Sequence, residues 1–436
     1  MTFDQACALA VLVAVMAALI WNRLRADVVA LAGAATLLGL GVVRPVEVQA
    51  AFGSPALIAL ASLFVIAYAM ELSGLLALLI RLGVRLCRRL GGLGVWLMIG
   101  FCGVISAFLN NTPIVVLAAP VVRDVAASLK LPPQRFLIPL SYVTILGGSC
   151  TLIGTSTNLL VNDMARSAGQ PGFRLFDITP VAAIVALVGA LYLVFAAPRL
   201  LRGRDEHGAP SMAEALEDAG AGRDVAVGDA SLFIERRPLD LRRGLAALAV
   251  FVAVVAVSAV GYAPIAAAAF TGAVVLILTR VISADEAYRG LRPEILLLIA
   301  GMVVVGLSLE VTGLAAAATT GLATLVHGLG PHLALALFYA ITLALTEILS
   351  NAAVAVLLTP VAVALAESLG VSPQPFLVGV MLAASAAFAT PFGYQTNVLV
   401  YELGRYTYMD FVRIGLPLNI VTGVVAVVAI PAFFPF

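Results

Sequence analysis

The chain has 436 residues, of which 62% are hydrophobic and 11% are charged, and its mean hydropathy is +1.09. An average soluble domain is about 45–50% apolar and about 25% charged, so a water-soluble globule is excluded. The formal net charge of +1 gives no indication of a nucleic-acid partner. The four cysteines are scattered without a CxxC pair, and we expect no cofactor. The composition predicts a polytopic protein embedded in the lipid bilayer.

Ten apolar runs predict membrane-spanning helices, because a bilayer core of about 30 Å needs roughly 20 residues per helix. In chain order they occupy residues 6–20, 28–43, 56–80, 136–161, 180–198, 245–260, 264–278, 295–314, 376–403 and 416–433. Two further apolar stretches, 94–128 and 331–368, are each long enough to enter the membrane twice. We predict that each forms a re-entrant hairpin, since the basic residues around it must stay on one side.

Basic residues set the expected orientation through the positive-inside rule. We place the arginine cluster 81–89 in the cytoplasm and let the spans alternate strictly. Fourteen basic residues then face the cytoplasm and three face the opposite side, without counting the long central loop. Both termini are then outside a plasma (inner) membrane. The segment 202–243 holds 16 of the 49 charged residues, which is typical of a cytoplasmic linker.

The two halves of the chain match residue by residue. Asn111 aligns with Asn351 at an offset of 240, and Asn158 aligns with Asn397 at an offset of 239. The charge pattern makes equivalent spans start on opposite sides, so we predict an inverted-topology repeat with five spans and one hairpin in each half. The predicted domains are a first membrane repeat at 1–200, a cytoplasmic linker at 201–243 and a second membrane repeat at 244–436.

Each hairpin carries a polar tip, Asn110-Asn111-Thr112 in the first and Ser350-Asn351 in the second. Unpaired polar groups are costly in hydrocarbon, so the tips must face protein or water. Thr112 is predicted to cap the returning helix of the first hairpin, and Ser350 or Asn351 that of the second. A helix that begins at a tip directs free N–H groups at an anion, and a helix that ends there offers carbonyls to a small hard cation.

Glycine, proline and polar residues interrupt two predicted helices, 136–165 and 376–403. The unwound segments are predicted at 147–149 and 154–158 in the first helix and at 390–397 in the second. Their hydroxyls and amides can satisfy the freed backbone or contact a ligand.

Glu347 is an intramembrane carboxylate whose matched position in the first half is Ala107. Such a residue can bind a cation or hydrogen-bond to the hairpin backbone, and the sequence leaves both interpretations open.

These motifs resemble the divalent anion:sodium symporter family, within a broader ion-transporter superfamily. That family has two re-entrant hairpins tipped by Ser-Asn-Thr and two broken helices with Thr-Pro/Gly-x-x-Asn patterns. Here the breaks end at Thr157-Asn158 and Thr396-Asn397. The stretch 390–397 is similar to the branch that carries potassium-channel-type regulatory domains in its central loop, for which the loop here is too short.

The resemblance implies an elevator-type homodimer that moves an oxyanion together with sodium; family members take sulfate, C4-dicarboxylates or citrate. Asn110 stands where the family usually has Ser, and Ala352 where it has Thr, which favours a small tetrahedral anion such as sulfate. The predicted anion-binding residues are Asn110, Asn111, Thr112, Thr157, Asn158, Ser350, Asn351, Thr396 and Asn397. The predicted sodium ligands are Asn111, Gly154, Ser156, Asn158, Asn351, Gly393 and Asn397, with Glu347 as a further candidate.

Three other classes compete with this interpretation. A sodium/proton or arsenite exchanger of the same superfamily would need titratable carboxylates at both broken helices, and the sequence of the breaks contains none. An intramembrane hydrolase would need a Ser–His, paired-Asp or HExxH arrangement, which the sequence does not offer at the breaks. A passive channel is the third class, but capped half-helices in an inverted repeat suit alternating access better than a permanently open pore. We therefore expect a transporter and not an enzyme.

Overall fold

The structure, a computed structural model, describes residues 2–21, 24–78, 80, 90–201, 239–314 and 330–436. These residues form eighteen helices and no strand. The first nine are α1 (Phe3–Trp21), α2 (Ala26–Gly39), α3 (Pro45–Phe52), α4 (Pro55–Leu72), α5 (Gly92–Ser106), α6 (Asn111–Ser128), α7 (Gln134–Gly148), α8 (Ser156–Ser167) and α9 (Thr179–Leu200). The other nine are α10 (Leu241–Val260), α11 (Ile265–Leu278), α12 (Ala284–Gly290), α13 (Pro293–Val311), α14 (Pro331–Thr346), α15 (Asn351–Ser368), α16 (Gln374–Ser385), α17 (Gln395–Gly404) and α18 (Tyr408–Phe433). The arginine cluster 81–89 and most of the predicted linker lie outside the described residues.

Six helical segments are long and apolar enough to cross a membrane. They are Pro45–Leu72, which joins α3 to α4, Thr179–Leu200, Leu241–Val260, Pro293–Val311, Asn351–Ser368 and Tyr408–Phe433. Six shorter apolar helices accompany them, and two of these, α5 and α14, are the first helices of the two hairpins. The prediction of an all-helical polytopic membrane protein is confirmed.

The helices of the first half correspond in order to those of the second, α1 to α10 through α9 to α18. Their packing corresponds as well. Helix α2 packs against α13 and α11 against α4, while α5 packs against α7 and α14 against α16. Helix α9 packs against its own counterpart, α18. The sequence match is thus accompanied by matched packing, and the opposite orientation of the two halves in the bilayer stays a prediction.

Two short helices, α3 and α12, were not predicted from the apolar pattern because they are only 8 and 7 residues long. Helix α12 begins with a capping box, in which Ser283 Oγ accepts the N–H of Glu286 at 3.2 Å and Glu286 Oε2 accepts the N–H of Ser283 at 2.8 Å. Both helices occupy matched positions, each between the second and third long helices of its half.

Candidate functional site

Two hairpin tips and two helix breaks form the candidate site. Helix α5 ends at Ser106 and α6 begins at Asn111, so the first tip is the short turn between them. The side-chain oxygen of Asn110 accepts the N–H of Thr112 at 3.2 Å, which makes Asn110 the cap of α6. The prediction of Thr112 as the cap was wrong. The helix begins two residues earlier, because Pro113 is tolerated anywhere in the first turn, where N–H groups have no helical acceptor.

The second tip has the same construction between α14 and α15. Ser350 is its cap, as predicted, and its Oγ accepts the N–H of Ala353 at 3.3 Å. Each tip therefore presents the N-terminal end of a helix, where the backbone N–H groups and the helix dipole favour an anion.

A hydroxyl five residues upstream holds the asparagine of each tip. Ser106 Oγ donates to Asn111 Oδ1 at 2.5 Å, and Thr346 Oγ1 donates to Asn351 Oδ1 at 2.9 Å. Ser106 and Thr346 are 240 residues apart, the same offset as the asparagines. The pair was not predicted, although hydroxyls at matched positions in the two halves were a signal for it.

The breaks differ in extent from the predicted unwound segments. Gly147 and Gly148 remain helical, and the first break runs from Ser149 to Thr155. The second begins at Ala386, four residues before the predicted start. The early start was not predictable from local sequence, because side chains of distant helices satisfy the freed backbone of 386–389.

Each break is tied to the neighbouring hairpin by a threonine. Thr151 donates its hydroxyl to the carbonyl of Ala107, and the N–H of Gly154 donates back to Thr151 Oγ1 at 3.2 Å. In the second half Thr390 donates to the carbonyl of Glu347 at 3.3 Å and accepts the N–H of Gly393 at 3.1 Å. The threonines thus anchor the start of each hairpin turn to the unwound backbone.

Asn158 and Asn397 brace the two breaks from the first turn of the following helices. The Asn158 amide donates to the carbonyls of Ser149 and Thr151 at 3.3 and 2.9 Å. The Asn397 amide donates to the carbonyl of Ala387 at 2.8 Å and to that of Thr390 at 3.3 Å. Both asparagines are fully buried. Their amide nitrogens therefore hold the loop, and only their Oδ1 atoms remain for other partners.

These two Oδ1 atoms have different surroundings. Ser141 of α7 donates its hydroxyl to Asn397 Oδ1 at 2.7 Å and lies 2.7 Å from the Thr396 hydroxyl. Asn158 Oδ1 is buried and has no hydrogen-bond partner among the described residues. A buried acceptor without a donor is costly, and a bound cation would satisfy it.

Carbonyl oxygens crowd Gly154 at the first break. A methyl group added to Gly154 would overlap the carbonyl oxygen of Gly148 and lie 2.7 Å from that of Ala107. One carbonyl comes from the end of α7 and the other from the residue that follows α5, so both are helix-end acceptors. The side-chain oxygen of Asn111 lies beside the neighbouring Gly148, 2.5 Å from the position that a methyl group on Gly148 would occupy. This concentration of neutral oxygens suits a small hard cation.

The second break has a carboxylate in addition. Glu347 Oε1 accepts the N–H of Ala389 at 2.8 Å and the side-chain amide of Asn419 at 2.7 Å. Oε2 is buried without a hydrogen-bond partner in the described part of the chain, and it lies 3.5 Å from where a methyl on Gly393 would be. Glu347 thus bonds to the break and not to the hairpin backbone. Asn419 was missed, because only packing of α18 brings it to the carboxylate.

Contacts between the two halves bring these elements together. Asn111 Nδ2 donates to the Tyr394 hydroxyl at 2.7 Å, and Thr112 Oγ1 donates to Gln395 Oε1 at 3.2 Å. Helix α6 packs against α17, and α15 packs against α8, so each tip lies beside the broken helix of the other half. The predicted residues are therefore gathered at one interface between the halves.

The predicted site residues differ in accessibility. Asn111, Thr112, Gly154, Thr157, Asn158, Thr396 and Asn397 are buried. Asn110, Ser156, Asn351 and Gly393 are half-buried, and Ser350 is exposed. The Asn111–Tyr394 bond has no counterpart at the second tip, since no hydrogen bond between the described residues links Asn351 to Thr155, the residue that matches Tyr394.

Helices with polar tips and breaks gathered between matched halves define a polytopic membrane transporter. The chain belongs to the citrate transporter family, CitMHS, whose family model matches residues 16–370. The predicted relationship to the divalent anion:sodium symporters is thereby confirmed, and the family consists of transporters and not of enzymes.

Several transporters are similar to this chain. An uncharacterized transporter of Synechocystis, sll0640, is 27% identical, with 95% of this chain and 94% of that protein covered. The sodium-dependent dicarboxylate transporter SdcS of Staphylococcus saprophyticus is 24% identical over 92% of this chain and 80% of its own length. Sodium/sulfate cotransporter 2 of Chlamydomonas reinhardtii is 37% identical over 37% of this chain and 18% of its own length. The crystal structure of the YdaH transporter of Alcanivorax borkumensis has a similar fold, with a TM-score of 0.60 and 18% identity over 91% of this chain and 89% of that chain.

Proposed function

We propose that the protein is a secondary active transporter that moves a divalent oxyanion across the membrane together with sodium ions. The observation that carries the proposal is the pair of capped tips, each lying beside the broken helix of the other half. Sulfate is the favoured substrate, because Ala352 removes a hydroxyl that a carboxylate would use. A C4-dicarboxylate or citrate is the alternative. The names of similar proteins support both, since one is a sodium/sulfate cotransporter and another a sodium-dependent dicarboxylate transporter.

The anion would bind through hydroxyls, amides and helix N-termini. The proposed binding residues are Asn110, Asn111, Thr112, Thr157, Asn158, Ser350, Asn351, Thr396 and Asn397. Asn158 and Asn397 use their amide nitrogens to hold the breaks, so we assign them a positioning role for the anion. The helix dipoles and bound sodium would supply the positive potential.

Sodium would bind at both breaks. At the first, the proposed ligands are oxygens of Asn111, Gly154, Ser156 and Asn158, near the helix-end carbonyls that crowd Gly154. At the second, they are oxygens of Asn351, Gly393 and Asn397, with Glu347 Oε2 directed at the same loop. The carboxylate makes the second site the more electronegative of the two.

Transport by an elevator movement within a homodimer completes the proposal. Matched halves with a site between them suit alternating access better than a permanently open pore. A sodium/proton or arsenite exchanger is the second candidate, favoured by Glu347 at the second break. In the first half Ala107 occupies the position that matches Glu347, and this lack of a second carboxylate favours symport.

Uptake into proteoliposomes tests the proposed function. Purified protein should accumulate radiolabelled sulfate when sodium is high outside and low inside, and should not do so with potassium in place of sodium. Radiolabelled succinate in parallel vesicles decides between the two anion classes. If sulfate or succinate is taken up at the same rate with and without sodium, sodium coupling is ruled out.

Replacing Glu347 by Gln should raise the sodium concentration for half-maximal uptake by about tenfold or more. Two unit charges 4 Å apart interact by about 4 kcal/mol at an effective dielectric constant of about 20, and about 1.4 kcal/mol is already tenfold in affinity. Glu367→Gln is the matched control, since Glu367 is an exposed glutamate at the far end of α15. Equal sodium dependence in Glu347→Gln and wild type would remove Glu347 from the sodium site.

The predicted orientation has its own test. Glu217 lies outside the described residues, and the charge pattern places it in the cytoplasm. In a variant without native cysteines, Glu217→Cys in intact cells should resist an impermeant thiol reagent. Arg166→Cys, on the exposed end of α8, should react. The reverse labelling pattern would show that the cytoplasmic and external sides are assigned the wrong way round.

A further inference from the structure

The two tips differ in accessibility although they are built alike. At the first tip Asn111 is 1% exposed and Thr112 is 4% exposed. At the second tip Asn351 is half-buried and Ser350 is exposed. A polar tip within the membrane region has to face protein or water. The first tip therefore faces protein, whereas the second tip is left partly uncovered.

Tyr394 and Gln395 close the first tip. The Tyr394 hydroxyl accepts from Asn111 Nδ2 at 2.7 Å, and Gln395 Oε1 accepts from Thr112 Oγ1 at 3.2 Å. The Tyr394 hydroxyl also hydrogen-bonds to Thr155, so one side chain joins the first tip to the start of α8. The side chains of Asn111 and Thr112 are thus already bonded to the second broken helix.

The matched positions at the other break are Thr155 and Ser156, 239 residues earlier. Their side chains are much shorter than tyrosine and glutamine. No hydrogen bond between the described residues links either of them to Ser350 or Asn351. The short side chains of Thr155 and Ser156 therefore leave the second tip uncovered, whereas Tyr394 and Gln395 cover the first tip.

We propose that Tyr394 and Gln395 determine the size of the transported anion, restricting it to one compact oxyanion group bound at the second tip. An anion with two separated carboxylates would need donors at both tips, and at the first tip the Tyr394 ring and the Gln395 side chain each occupy space that the second carboxylate would need. A tetrahedral anion such as sulfate can bind to Ser350, Asn351, the N–H groups at the start of α15 and Thr157 of the adjacent α8 without donors from the first tip. This inference rests on the proposed sodium-coupled uptake of a divalent anion.

The test is sulfate uptake in proteoliposomes with succinate as the competitor. The double variant Tyr394→Thr, Gln395→Ser places short hydroxyl side chains at the second break, as in the first. It should lower the succinate concentration for half-inhibition by about tenfold or more, equivalent to about 1.4 kcal/mol. It should also take up radiolabelled succinate with sodium. Tyr394→Phe is the matched control, because it keeps the ring and should keep the preference for sulfate.

Gln395→Ser alone should also lower the succinate concentration for half-inhibition of sulfate uptake. This single variant keeps the inference testable if the double variant does not fold. Selectivity unchanged from wild type in every variant that still takes up sulfate would overturn the inference. Wild type that takes up succinate as well as sulfate would also overturn it and leave sodium coupling intact. Absence of sodium-dependent uptake of either anion by wild type would instead reject the proposed function itself.

Discussion

Gly154→Ala should strongly reduce sodium-dependent uptake. The added methyl would overlap the carbonyl oxygen of Gly148 and lie 2.7 Å from that of Ala107, and both carbonyls belong to backbone that cannot rotate away. Overpacking of this kind costs about 1–3 kcal/mol, and the upper value corresponds to a factor of about 150. We expect uptake to fall by about 100-fold at a fixed sodium concentration.

Gly100→Ala is the matched control, since a methyl on Gly100 meets nothing within 4 Å and alanine favours the helix. Gly393→Ala should be milder than Gly154→Ala, because the methyl would lie 2.7 Å from Ala387 Cβ, whereas on Gly154 it would overlap a carbonyl oxygen. Thermal unfolding of the detergent-solubilised proteins separates loss of the site from loss of the fold. A folded Gly154→Ala protein with wild-type sodium dependence would place the cation elsewhere.

Thr157→Val should weaken anion binding by about 10- to 150-fold. A hydrogen bond to a charged ligand contributes about 1.5–3 kcal/mol, and about 1.4 kcal/mol is tenfold. Thr157 is buried in the first turn of α8, and its hydroxyl lies 3.5 Å from that of Thr155, at the limit of a hydrogen bond. Its hydroxyl is therefore free to turn toward an anion.

Thr359→Val tests a buried hydroxyl away from the tip, since Thr359 bonds at 2.5 Å to the carbonyl of Ala355 within its own helix. Arg405→Gln tests a basic residue at the end of α17. Both should leave the affinity for sulfate nearly unchanged. A harmless Thr157→Val together with lost binding in Arg405→Gln would move the anion to a basic site. Equilibrium binding of sulfate to purified protein gives the dissociation constants.

The amino-acid sequence alone was sufficient for the features that depend on short-range pattern. Apolar runs of membrane length predicted the long helices, because hydrocarbon accepts only segments that satisfy their own backbone. Polar residues inside apolar runs marked both tips and both breaks, although of the predicted caps only Ser350 is a cap and Asn110 takes the place of Thr112. The offset of about 240 residues predicted the matched halves. These inferences use neighbours that are adjacent along the chain.

The tertiary structure decided which side chains complete the site. Tyr394 contacts Asn111, 283 residues away, only because α6 packs against α17. Asn419 reaches Glu347 only from α18. The extent of the second break also depends on such partners, since the Glu347 carboxylate accepts the N–H of Ala389, which a continued helix would direct at the carbonyl of Ser385. Local sequence marks a polar residue that needs a partner, whereas the packing of distant helices determines which partner it finds.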